Sequence, residues 1–115
     1  MATTVVRTDE EGSAFLHSWT GLANSENGDA MKIPGAADRT VQVGGVFSTG
    51  GEVTIQGSND NTNWVTLTDL SDADLVFDAA AIEVIAEAPL YIRPSITGGD
   101  GSTAIDVSIL SRGSK

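Results

Sequence analysis

The stretch "TVQVGGVFSTGGEVTIQGSNDNTNWVTLTD", Thr40 to Asp69, alternates apolar and polar residues in three short runs separated by turn-forming residues. Val41 and Val43 lead to Phe47 across the pair Gly44-Gly45, where a bulge or a close backbone approach is expected. Val53 and Ile55 share one face of the second run, and Val65 and Leu67 one face of the third. A period of two is the mark of a strand with one buried face, so this stretch reads as β-structure. "STGG", Ser48 to Gly51, supplies the glycines of a tight reversal, and three successive strands paired as a meander are the simplest arrangement.

The pattern continues towards the C-terminus. "DLVFDA" (Asp74 to Ala79) reads as a short strand, "LYIRPSI" (Leu90 to Ile96) as a longer one, and "TAIDVSIL" (Thr103 to Leu110) as the last. The glycine-dense "TGGDGS" between the latter two predicts a terminal hairpin. Pro94 has no N–H to donate, which places it at an edge, at a bulge or at a break in its strand. "AAAIEVIAEAP" (Ala79 to Pro89) is a short strand or a single turn. Before residue 40 the texture changes: "FLHSW" (Phe15 to Trp19) and "AMKIPGAADRT" flank the polar spacer "NSENGD". This segment is either a first strand pair or, over residues 1–33, an N-terminal arm whose apolar Phe15, Leu16, Trp19, Leu22 and Met31 make contact with a partner. No segment carries a helical stripe. The fold class expected is all-β: one domain over residues 1–115, a small antiparallel β-sandwich or jelly roll of about eight strands.

Composition narrows the function classes. The 115 residues contain no cysteine, so disulfides, thiolate nucleophiles and cysteine-bound zinc are out. Sixteen acidic against six basic residues give a net charge of -10, which repels nucleic acid backbones and anionic membrane surfaces. No run is long and apolar enough for a transmembrane helix, and "MATTVVRTDEEG" has no signal-peptide pattern, so synthesis in a cytoplasm is expected. His17 is the lone histidine, no "GxSxG" elbow or phosphate-binding glycine loop accompanies it, and its expected role beside Trp19 is packing or a surface hydrogen bond. The reading is a protein that is not an enzyme and carries no cofactor.

The polar run Asn59, Asp60, Asn61, Thr62, Asn63 has oxygen atoms at the spacing a calcium loop uses. An EF-hand starting at Asn59 would need glycine and glutamate where Trp64 and Leu70 stand, whereas Asn and Asp also build the turns of a hairpin loop. A structural turn is therefore expected, with no metal site either here or at Asp69, Asp72 and Asp74. Trp64, at the exit of the turn, is expected to plug one end of the sandwich.

Residues 38–112, with "VTIQGSND", the following tryptophan and the closing "YIRPSITGGDGS", resemble small virion proteins of tailed bacteriophages, in particular capsid decoration (cement) proteins. That resemblance implies a structural protein on the capsid surface, made in the bacterial host cytoplasm. Its partner would be the major capsid protein, and it would form a homo-oligomer, with a trimer matching local threefold axes. The block "QGSNDNTNW" with a later "YIR" is also similar to discoidin-type and related carbohydrate-binding sandwiches. The alternative it implies is a carbohydrate- or receptor-binding module on a fibre or tail, with Asn59, Asp60, Asn61, Asn63 and Trp64 as the ligand loop.

Overall fold

A computed structural model describes residues 6–9, 14–32 and 36–113. Among them the chain forms ten strands: β1 Val6–Asp9, β2 Ala14–Leu22, β3 Met31–Lys32, β4 Ala36–Val46, β5 Glu52–Ser58, β6 Val65–Thr66, β7 Val76–Phe77, β8 Ala81–Ile85, β9 Tyr91–Thr97 and β10 Ala104–Gly113. They build two antiparallel sheets facing one another as a β-sandwich, as the alternation predicts. The first sheet runs β1-β2-β10-β4-β8; the second runs β3-β9-β5-β6, with β7 also paired to β5.

The long strands commit one face to the interior. Val41, Val43, Ile105, Val107 and Ile109 of the first sheet meet Val53, Ile55, Ile92 and Ile96 of the second in a single core. Burying this much aliphatic surface is the main stabilising term available to a chain without disulfides. Leu67 and Leu75 close one side of the core, where Leu67 N–H donates to the Ile55 carbonyl and Ile55 N–H donates to the Leu75 carbonyl. Pro94 lies inside β9, opposite Ile55, and is fully buried. Its carbonyl accepts from Gly28 N–H, and Ile96 N–H donates to the Glu26 carbonyl. The missing proline donor thus falls on the side of residues 26–28 and away from β5, so the β5–β9 ladder loses no bond.

Two pairing expectations are corrected. The reversal at Ser48 to Gly51 does not make a meander of β4 and β5, since these strands lie in different sheets. The "TGGDGS" turn likewise carries the chain from β9 in one sheet to β10 in the other, and β10 pairs with β2 and β4 instead of with its neighbour in sequence. The physical reason is shared: a glycine turn permits reversal within a sheet or an arch between sheets, and alternation marks an inner face without naming the sheet. In the N-terminal third, of the two alternatives, the strand pair is what forms: β1 and β2 pair antiparallel, β2 is an interior strand of the first sheet bonded also to β10, and residues 31–32 belong to the second sheet, so the described residues of this segment are part of the sandwich. Residues 1–5, 10–13 and 33 of the expected arm lie outside the described residues.

Candidate functional site

Of the five apolar residues expected to bind a partner, Trp19, Leu22 and Met31 are core residues and Phe15 packs against the core. Leu16 alone of the five lies on the outer face of its sheet, beside Leu110. Trp19 is fully buried between the sheets, and its indole N–H donates to the Asp29 carbonyl at 2.8 Å. The approach is close enough that a Cβ on Gly28 would stand 2.7 Å from the indole and 2.9 Å from Pro94. His17 is buried on the same strand, in line with its expected packing role.

The Asn59–Asn63 loop is organised around Asp60. Its Oδ1 accepts from Thr62 N–H at 2.9 Å and Asn63 N–H at 2.8 Å, and its Oδ2 accepts from the Asn63 amide at 2.7 Å. The backbone donors of Asn63 and Thr62 and the side-chain donors of Asn63 and Ser58 favour the ionised carboxylate, so the Asp60 pKa sits well below the usual range. Asn59 is also spoken for, its side-chain oxygen accepting from Leu90 N–H. Asn61 adopts a left-handed φ of 61°, which asparagine tolerates in such turns. The Asp60 oxygen atoms are thus directed at the loop itself and that of Asn59 at Leu90. In the second acidic segment, Asp69 Oδ1 accepts from Ser71 and Ala73 N–H. Among the described residues no group of three or more His, Cys, Asp or Glu is arranged to hold a metal. Excess EDTA is accordingly expected to leave the melting temperature unchanged. A sharp fall would show that one of these two loops holds calcium.

Trp64 departs from the expected plug. It is half-buried and stands outside the core, its ring covered by the Arg93 guanidinium at 4.2 Å from the centroid. Arg93 projects from the outer face of β9 because its neighbours Ile92 and Pro94 take the inner one. Its Nε donates to Gln56 Oε1 at 2.9 Å across the β5–β9 ladder. Two residues earlier on the same face is Tyr91, with the Lys32 ammonium 5.7 Å from its ring centroid. Trp64, Arg93, Tyr91 and Asn61 line a shallow groove of about 550 Å³ together with Asn27 to Ala30. Sequence reading pointed to Asn61 and Trp64 but missed Tyr91, Arg93, Asn27 and Asp29. The strand parity of "YIRPSI" carried the first two as outward-facing residues, whereas the approach of residues 27–30 is a product of the second sheet's edge.

A second surface feature lies on the opposite face of the molecule. β8 is an edge strand whose Ile82 and Val84 point outward and are 60% and 41% exposed. Val84 adjoins Thr40 and Leu110, so an apolar strip crosses the outer face of the first sheet to Leu16.

No family model and no curated protein matches this chain. Among solved structures, the SPBc2 prophage-derived protein YomS is similar in fold, with a TM-score of 0.63 over 90% of this chain and 98% of that one, at 13% sequence identity. At that identity the likeness establishes a common architecture.

Proposed function

We propose that this chain is a non-enzymatic virion structural protein of a tailed phage, a decoration protein that binds the major capsid protein and stabilises the head. The observation that carries the reading is the fold shared with a prophage-derived protein along nearly the whole of both chains. The resemblance of residues 38–112 to virion proteins supports it from the sequence side. With Trp19, Leu22 and Met31 committed to the core, the contact surface is assigned to the strip on the first sheet instead of to an arm. Among the described residues β8 is paired on one side only, with β4, and carries the exposed Ile82 and Val84 on its outer face, a combination suited to pairing with a strand of a partner. Many copies on a lattice, assembled as trimers, would hold firmly through modest individual contacts.

The test is made on filled, tailless heads of the encoding phage. Mass spectrometry is expected to find the protein in stoichiometric amount. Ile82→Glu with Val84→Glu is expected to abolish head binding while shifting stability by no more than about 1 kcal/mol, since surface substitutions each move it by roughly 0.5. Recovery in tails and not in heads would overturn the assignment.

A further inference from the structure

We infer that the groove between Trp64, Arg93 and Tyr91 is a binding site for a saccharide bearing a carboxylate. This goes beyond the decoration reading and does not depend on it: the groove is on the outer face of the second sheet, away from the strip on the first, so a head-bound copy would hold it towards solvent.

Charge supplies the first argument. In a chain with sixteen acidic residues, Arg93 is in no ion pair with a described carboxylate, although Asp29 lines the same groove. Its Nε is occupied by Gln56 and one face of its guanidinium by the Trp64 ring, which leaves the Nη edge to meet a ligand. Both restraints fix the plane of the fork before anything binds, so little rotational freedom remains to be lost. A guanidinium held in this way matches a carboxylate through two parallel N–H···O bonds. Lys32, beside Tyr91, adds a second positive charge near the same end.

The remainder of the groove selects a sugar over a bare anion. Tyr91 and the exposed part of Trp64 offer flat apolar surface to the C–H face of a pyranose ring. Asn27, whose oxygen accepts from the Ser95 hydroxyl, keeps its amide NH2 as a donor, and the Asn61 side chain and Asp29 carboxylate provide further partners for hydroxyl groups. A volume of about 550 Å³ suits one or two sugar rings. Nucleic acid would meet the same arginine, but its polyanionic backbone is opposed by the net charge of -10.

The experiment is a two-dimensional NMR titration of the full chain with 3′-sialyllactose and with a hyaluronan tetrasaccharide, using lactose and chitotetraose as neutral counterparts. At least one acidic probe is expected to bind with a Kd of about 1 mM or tighter, moving the Trp64 indole N–H, the Arg93 Nε–H and the amides of residues 27–30. Arg93→Gln is expected to weaken that binding roughly tenfold, as loss of a charge-assisted pair does. Arg93→Lys should recover only part of it, because the charge returns without the fork. Unchanged amide dispersion away from the groove would verify that both variants fold. The inference is overturned if neither acidic probe binds at about 10 mM, if the neutral counterparts bind equally well, or if the shifts map elsewhere.

Discussion

Trp19→Ala is expected to destabilise the protein by about 3 to 5 kcal/mol, the range for deleting a large aromatic from a packed interior. Chemical denaturation should show this as a lower midpoint, and calorimetry as a melting temperature lower by at least about 10 °C. The magnitude follows from position. Trp19 is fully buried, spans the space between the sheets and lies against Gly28 and Pro94, so its removal leaves a cavity that the surrounding β-ladders cannot collapse to fill. It also strips the Asp29 carbonyl of its indole donor. Trp19→Phe separates the two effects: most of the ring is retained, and the lost hydrogen bond contributes on the order of 1 to 3 kcal/mol. Trp64→Ala provides the contrast. Half-buried, stacked on Arg93 and outside the core, it is expected to cost clearly less than Trp19→Ala. Equal losses at the two tryptophans would contradict the assignment of one to the core and the other to the surface.

Gly98→Ala is the second large effect, expected at about 2 to 5 kcal/mol by the same denaturation measurement. Two costs combine there. Gly98 has a φ of 68°, and an L-residue in the left-handed region costs roughly 1 to 2 kcal/mol. A Cβ at Gly98 would also run into the Gly50 carbonyl oxygen, so the arch from β9 to β10 would have to move off the arch from β4 to β5. Forced overpacking of this kind adds about 1 to 3 kcal/mol. Gly50→Ala is the internal control, since Gly50 has a φ of 75° with open space where the methyl would go. It should show the backbone cost alone. If the two substitutions cost the same, the close packing of the two arches contributes nothing and the description of this end of the sandwich is wrong.

By itself the sequence determined the fold class, most of the strands and the inward face of each long one. Val41, Val43, Val53, Ile55, Ile92, Ile96, Ile105, Val107 and Ile109 all face the core that their parity demands, because strand periodicity is a local property of the backbone. The turn at Asp60 was equally legible, since Asn and Asp bond to backbone groups only two or three residues away. Tertiary structure alone decided which sheet each strand joined: β4 and β5, or β9 and β10, are neighbours along the chain but face one another across the core. It also decided the roles of the two tryptophans. Trp19, in a segment that resembled an arm, became the centre of the core because β10 paired beside β2 and drew it under the second sheet, whereas Trp64 was left outside to stack on Arg93. Both outcomes depend on contacts between residues tens of positions apart. Hydrophobicity specifies that a side chain will be buried somewhere; the pairing of distant strands specifies where, and the groove at Tyr91 and Arg93 exists only after that pairing is complete.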